Sequence, residues 1–361
     1  MNTVVLTTGA AALFAEAVER AAELLRAGQL VALPTETVYG LAANAWDAAA
    51  VARIYEVKGR SARNPIIVHV AGLALARDCV AGWPPVAGKL AAAFWPGPLT
   101  LVLPRSPRIP EIVTAGGPTV GVRWPSHPFI QAVIRACGFP LAAPSANPSN
   151  QVSPTTAAHV RKAFDGRIPL IVDGGPSQVG LESTVLDLAA ARPRLLRPGM
   201  IHAETLRAVM GAAELQAAPN WSAGAGSRLR SPGMLPRHYS PKAKLVVLSW
   251  RDRADLASQI QSLHFPPEKI CIIAHSPIGG STKSPPAGSQ KTRVMARRPV
   301  PLSGEFGRVS VLPHDAAAFA RALYAELHQC DDSGAALIIV EAPPPTAAWR
   351  AIADRLSRAA Q

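Results

Sequence analysis

Short apolar runs that recur along the chain and stop abruptly at small polar residues constrain this sequence more than any other feature. Residues 30–33, 66–70, 99–103, 120–123, 141–143, 170–172 and 184–188 are too short for buried helices and have the composition of strands within a sheet. Segments with helical spacing lie between several of them. Leu13, Ala17, Ala21, Leu24 and Leu25 share one helical face, with Gly28 placed to end that helix. Asp47 is positioned to cap a second helix with Val51, Ile54 and Tyr55 on its inner face. Strands alternating with helices predict an α/β fold.

The alternation breaks after about Asn220. The stretch WSAGAGSRLRSPGMLPRHYSPKAK is rich in Gly, Ser, Pro and Arg and carries no apolar period, which is linker chemistry. A second alternation follows: strands at 245–248 and 270–274, a helix near 316–328, a strand at 336–340 and a last helix near 346–358. The predicted organisation is a first domain over residues 1–220, a linker over 221–241 and a smaller α/β domain over 242–361. The polar stretch 276–293 reads as a disordered loop within that second domain.

Composition excludes several classes. The chain of 361 residues can bury a sizeable core, and a second domain is expected at this length. No apolar run approaches the ~18 residues of a membrane helix, and no basic segment with an apolar run opens the chain, so a cytoplasmic protein is expected. Cys79, Cys137, Cys271 and Cys330 are far apart and form no zinc pattern. The net charge of +13 is concentrated: residues 221–300 hold 13 Lys and Arg against 3 Asp and Glu, while 1–220 hold 19 against 14 and 301–361 hold 5 against 7. That middle segment suits either solvated linker or contact with an anion such as a nucleotide or RNA.

The ends of the apolar runs carry the candidate chemistry. LPTETVYGLAANAW, residues 33–46, sets two threonines, a glutamate and a tyrosine at one strand end. KGRSARNPIIVH, residues 58–69, places Lys58, Arg60 and Arg63 at a helix C-terminus and then enters a strand ending in His69. Such cations can simply complement the helix dipole, or they can grip a polyphosphate with paired guanidinium donors. LAAPSANPSNQVSPTT, residues 141–156, offers Ser145, Asn147, Ser149, Asn150 and Ser153 before Thr155 opens a helix; it fits an ordinary Asx and Ser turn or an anion-binding loop. Arg123 closes the strand of TVGVRWPSHP, and DGGPSQVGLESTVLDL runs through a Gly-rich turn into Glu182-Ser183-Thr184. Four polar strand ends together describe one lined cavity. The sequence has no GxxxxGK[ST], no GxGxxG after a strand and no GxSxG, so neither a P-loop nor a dinucleotide fold is supported, and no motif pairs Ser145 as nucleophile with His69 or His127.

Taken in order, PTETVYGLAANA, Lys58-x-Arg60 with Asn64-Pro65-Ile-Ile-Val-His69, Ser145-x-Asn147, Glu182-Ser183-Thr184-Val185 and Leu196-Arg197-Pro198-Gly199 resemble the motifs of the YrdC/Sua5 family. SPGMLPRHYSP, residues 231–241, followed by a second α/β domain, resembles the longer Sua5 type. The resemblance implies an open, twisted YrdC-like α/β domain around a large basic cavity, a linker covering the site, and a smaller Rossmann-like C-terminal domain. It implies an L-threonylcarbamoyladenylate synthase, joining L-threonine, bicarbonate or CO2 and ATP, with Mg2+ and no organic cofactor. The product would pass to the machinery that builds threonylcarbamoyladenosine at position 37 of tRNA, with little or no direct tRNA binding and no membrane. By the same resemblance Thr37, His69, Arg123, Ala143 and Ser183 would contact threonine, Arg123 meeting its carboxylate. Lys58, Arg60, Asn64, Thr119, Ser145, Ser153, Arg197 and Tyr239 would contact ATP, none of them as a nucleophile.

Tyr39 and Trp124 read as packing residues, Thr35 and Glu36 as turn and capping residues, and Gly40 as the point where the chain turns away. Ser61, Asn150 and Leu235-Pro236 depart from the family's usual residues; Asn suits the left-handed turn expected at position 150. The competing reading is an RNA-binding module. It finds little support, since aromatic residues make up 5% of the chain and no RNA-recognition signature is present. The second domain is expected to dock on the first and gate the site through the linker.

Overall fold

The computed structural model describes residues 2–211, 215–217, 231, 238–278 and 306–361, and contains two sheets flanked by helices. Most of the expected linker and most of the polar stretch 276–293 lie outside the described residues. The first sheet is built from β1 (Val4–Thr7), β2 (Val31–Leu33), β3 (Gly40–Asn44), β4 (Val68–His69), β5 (Leu99–Pro104), β6 (Thr119–Arg123), β7 (Leu141–Ala142), β8 (Leu170–Asp173), β9 (Thr184–Asp187), β10 (Arg194–Arg197) and β11 (Gln216–Ala217). Their spatial order is β1-β8-β2-β3-β7-β4-β6-β5-β9-β10-β11, with parallel and antiparallel pairs mixed. The second sheet, β12 (Lys244–Leu248), β13 (Ile270–Ala274), β14 (Arg308–Val311) and β15 (Leu337–Glu341), is wholly parallel in the order β12-β15-β13-β14. Among the described residues no helix is long and apolar enough to cross a membrane.

The expected runs all contain strands, but β4 and β7 are cut to two residues each. Pro65 before β4 and Pro144 after β7 leave ladder positions without donors. Strands β1, β3, β10, β11 and β14 escaped the sequence reading, β3 because it starts inside the stretch taken for a polar strand end. The helix Ala11–Arg26 buries Ala17, Ala21, Ala22 and Leu25, while Leu13 is exposed, so the buried stripe is rotated from the expected one. Asp47 does cap the helix Ala48–Lys58, accepting from the N–H groups of Ala49 and Ala50, and left-handed Gly59 ends it. Thr156, not Thr155, caps the next helix in question, Ala157–Phe164. Asn150 stands at φ +67, the left-handed turn expected of it.

Two cores sandwich the first sheet, one around Leu41, Ile54, Val68 and Leu101 and one around Leu25, Val31, Phe129 and Val172. A further cluster crosses between the sheets: Val38, Val152, Leu181 and Tyr239 pack with Phe319, Ala320, Leu323, Tyr324 and Ile352. The second domain is thus seated on the first through apolar burial, at roughly 25 cal/mol per Å2 of area removed from water.

Candidate active site

Register explains the cavity. His69 pairs with Arg123 across parallel β4 and β6, so both side chains leave the same sheet face, and Ile67, two residues earlier, points with them. Gly40 bridges Ser145 across the top of β3 and β7. A Cβ on Gly40 would lie 3.3 Å from the Cβ of Ala143, so glycine there permits close approach of the two walls rather than a change of direction. The result is a cavity of about 560 Å3 lined by Thr35, Thr37, Val38, Gly40, Arg60, Ile67, His69, Arg123, Ala143, Pro144, Ser145, Glu182, Ser183, Arg197, His238 and Tyr239. It rests on a sheet face over the two-residue strands β4 and β7 rather than only at strand ends. Missing ladder length leaves room for it.

On one side the turn after β2 is self-braced: Thr35 Oγ1 donates to Val38 O at 2.6 Å and accepts from the N–H groups of Thr37 and Val38. This presents Thr37, whose Oγ1 accepts from Arg123 Nη1 at 2.9 Å. Arg123 Nε donates to Gly97 O at 3.3 Å, and Nη2 lies 2.7 Å from Glu36 Oε1 in a buried ion pair. Glu36 therefore orients the guanidinium and accepts from Ser126 N–H; it caps no helix. Burial would raise its carboxyl, but Arg123 overrides this and holds it below its usual range. His69 is pushed down to about 3 by burial, with Arg123 adding to the effect, and is a neutral imidazole at pH 7. Its Nδ1 meets no hydrogen-bond partner among the described residues.

On the other side Arg60 is anchored by its own basic turn, Nε to Asn64 O at 3.0 Å and Nη2 to Pro65 O at 2.6 Å. Arg197, at the end of β10, grips Ser183 by Nε to its carbonyl at 3.0 Å and Nη2 to its Oγ at 3.1 Å. Gly199 is required beside it, because a Cβ would stand 2.4 Å from Thr184 N. Burial lowers both arginines, Arg60 to about 10, which leaves them charged at pH 7. Tyr239 covers this side with φ +63, an uncommon backbone state for a bulky residue. His238 beside it is pushed to about 3, chiefly by burial.

Nine of the thirteen residues expected at the site line the cavity: Thr37, Arg60, His69, Arg123, Ala143, Ser145, Ser183, Arg197 and Tyr239. The other four lie behind or beside it. Lys58 is buried and donates through Nζ to Ser145 O at 2.6 Å and to Asn147 O, clamping the loop that forms a wall. Asn64 holds Arg60 by its carbonyl, and Ser153 Oγ donates to Glu182 Oε1 at 2.6 Å. Thr119 faces an adjoining cavity of about 250 Å3 that shares Ile67 with the first. Tyr39 packs in the core and donates to Gly175 O at 2.6 Å, and Trp124 packs against the same core, as expected. No hydrogen bond joins Ser145 to either histidine among the described residues; His127 Nδ1 accepts from Phe129 N–H at its helix start. Glu182 and His238 were overlooked as cavity residues although both lie inside quoted motifs. The ionised state of Glu182 depends on Arg355, 173 positions away, while burial keeps His238 neutral at pH 7.

Three guanidinium groups and two neutral imidazoles around one small cavity can hold two anions side by side and screen charge passing between them. Glu182 in the cavity lining is committed to Ser153, Tyr324 and Arg355, Glu36 behind it to Arg123, and no group of three acidic, His or Cys side chains among the described residues is arranged to hold a metal ion.

Residues 23–199 match the Sua5, YciO and YrdC family described as "Telomere recombination", and residues 201–361 match the family "Threonylcarbamoyl-AMP synthase, C-terminal domain". A threonylcarbamoyl-AMP synthase of Bacillus subtilis is 40% identical over 345 residues, 95% of this chain and 92% of that protein. A threonylcarbamoyl-AMP synthase of Pyrococcus abyssi is 47% identical over 228 residues, 63% of this chain and 66% of that protein. The crystal structure of P. abyssi Sua5 complexed with L-threonine superimposes with a TM-score of 0.84 at 36% identity, covering 100% of this chain and 98% of that one.

Proposed function

This chain belongs to the two-domain Sua5 family, and we propose that it is a threonylcarbamoyl-AMP synthase acting on L-threonine, bicarbonate or CO2, and ATP. The observation that carries the reading is the Thr37, His69 and Arg123 constellation set a short distance along one cavity from Arg60 and Arg197. The first group suits a small hydroxylated amino acid: a guanidinium for its carboxylate, Thr37 and Ser183 for polar contacts, and Ala143 leaving room for its methyl. Neutral His69 can accept a hydrogen bond from the amine, which must lose a proton before it attacks CO2.

In the reaction the amine nitrogen forms a bond to the carbon of CO2 and gives up its proton, leaving a carbamate. A carbamate oxygen then attacks the α-phosphorus of ATP while the bond to pyrophosphate breaks. Positioning and electrostatics supply most of what phosphoryl transfer needs. Arg60, Arg197 and Ser145 would hold the phosphates, with Tyr239 excluding water. Lys58, Asn64 and Ser153 act through the residues they brace, and Thr119 through the adjoining cavity. Magnesium would enter with ATP on its phosphates, as part of the substrate. The product, a mixed anhydride of a carbamic and a phosphoric acid, is labile and calls for an enzyme that transfers the threonylcarbamoyl group to a tRNA amine.

The test is pyrophosphate release by the full-length chain, with mass spectrometry of the nucleotide product. Release that requires both threonine and bicarbonate, with threonylcarbamoyl-AMP accumulating, is expected. Release independent of threonine, or AMP alone from fresh reactions, would contradict the reading.

A further inference from the structure

The phosphate-facing side of the cavity is held from behind by the second domain. Glu182 Oε2 accepts from Tyr324 OH at 3.0 Å and from Arg355 Nε at 2.8 Å, while Oε1 is taken by Ser153. Tyr324 lies on the helix Ala316–Asp332, which approaches the first domain so closely that a Cβ on Gly180 would stand 2.5 Å from Arg321 Cα. Arg355, on the helix Arg350–Ala359, is 1% exposed and is steadied by Asp354 at 2.6 Å. Its guanidinium carbon sits 5.1 Å from the centroid of the Tyr239 ring, which stacks on Tyr324 at 6.0 Å. A single cation from the second domain therefore touches both a cavity wall and the residue that covers the cavity.

We propose that Arg355, with Tyr324, is a positioning residue for ATP: it fixes Glu182 and Tyr239, and through the Glu182-Ser183 backbone it sets the guanidinium of Arg197. The proposal rests on the functional reading above. Glu182 is a buried anion in a cavity meant for anions, faced by Arg60, Arg197, His238, Tyr239, Tyr324 and Arg355. With Arg355 as its main partner, Glu182 leaves the fields of Arg60 and Arg197 directed at the cavity. With that partner gone, residue 182 and Tyr239 lose the cation that fixes them both, and the backbone at Ser183 no longer holds the Arg197 guanidinium toward phosphate. Of the groups proposed to meet threonine, Thr37, His69 and Arg123 lie outside this network, and Ser183 alone touches it, through Arg197.

The test uses full-length Arg355→Met, Arg355→Lys, Tyr324→Phe and the double variant Glu182→Gln/Arg355→Met, with ATP and threonine affinities measured separately by calorimetry beside steady-state kinetics. Arg355→Met is expected to weaken ATP binding roughly tenfold or more and to leave threonine binding within about twofold. Arg355→Lys should recover part of the loss, and Tyr324→Phe should give a smaller one. Burial alone would raise Glu182, which Arg355 and then Arg197 hold at about 2, so in Arg355→Met the acid limb of the kcat/KM profile for ATP moves to higher pH. The double variant carries no buried unpaired carboxylate and keeps the test valid if Arg355→Met fails to fold; it should show the ATP defect without the shifted limb. Wild-type ATP affinity in the double variant, or equal losses of ATP and threonine, would overturn the proposal. A wild-type chain that binds neither substrate would overturn the functional reading first.

Discussion

The two halves of the cavity are built differently. The half proposed to face threonine, Thr37, His69 and Arg123, is made by neighbouring strands of one sheet and a self-braced turn, with Glu36 as its internal counter-ion. The half proposed to face phosphate, Arg60, Arg197, Glu182 and Tyr239, is backed by Tyr324 and Arg355 from the second domain. A small, invariant substrate can be met by local geometry. A large, charged one that must enter and release pyrophosphate is met by a surface that is completed from outside.

The largest expected effect breaks the first half alone. Arg123→Ala should lower kcat/KM for threonine by about a hundredfold or more, because it removes the carboxylate partner and leaves Glu36 buried without its cation, a loss of roughly 3–5 kcal/mol. Arg123→Lys should fold and still bind threonine poorly, since an ammonium cannot reproduce the fork. Threonine binding unchanged in that variant would dissolve the distinction between the halves. Next in size, Arg60→Ala should raise the KM for ATP about tenfold or more with threonine affinity intact, as read from the two KM values.

Lys58→Met sharpens the comparison further, because Lys58 braces the loop without lining the cavity. The carbonyls of Ser145 and Asn147 would lose their donor, costing about 1–3 kcal/mol in chemical denaturation, while activity per folded molecule falls less than in Arg60→Ala. An activity loss as large as that of Arg60→Ala with unchanged stability would return Lys58 to direct phosphate contact.

Acid should act on both halves. Burial pushes His69 and His238 to about 3, and His159, stacked on His328 at the domain boundary, to about 3 as well. The unfolded chain binds these protons near pH 6.5, so the stability they contribute is present above that pH and lost as pH falls toward 3. The thermal midpoint should therefore decline between pH 6.5 and 4.5, and His69→Gln should flatten part of that decline. The smallest effect is expected at Asn150→Gly: φ +67 suits glycine at least as well, so stability should change by no more than about 0.5 kcal/mol with no change in either KM.

The parts of this account that were legible in the sequence are those that local spacing encodes. Asp47 and Gly59 bound their helix as their chemistry requires, and Thr37, His69, Arg123, Ser145 and Arg197 each lie in a recognisable motif and reach one cavity. What spacing does not encode was lost. Lys58 and Ser153 carry the polar chemistry of ligands, yet burial turned them to backbone carbonyls and to Glu182, a choice set by residues up to 89 positions away, while Asn64 serves through its own backbone carbonyl, which accepts from Arg60. Glu182 looked like a motif residue without a task, because its partners Tyr324 and Arg355 are 142 and 173 positions distant. Strand β3 was hidden because its start, at Gly40, coincides with the cavity wall.

The most direct measurement is a crystal structure of the full-length chain with L-threonine and a non-hydrolysable ATP analogue. The account predicts the threonine carboxylate on Arg123 with its amine toward His69, and the phosphates against Arg60 and Arg197 with Glu182 still held by Arg355. Phosphates bound at Arg123, or a nucleotide seated outside the cavity with Arg355 turned away from Glu182, would contradict it.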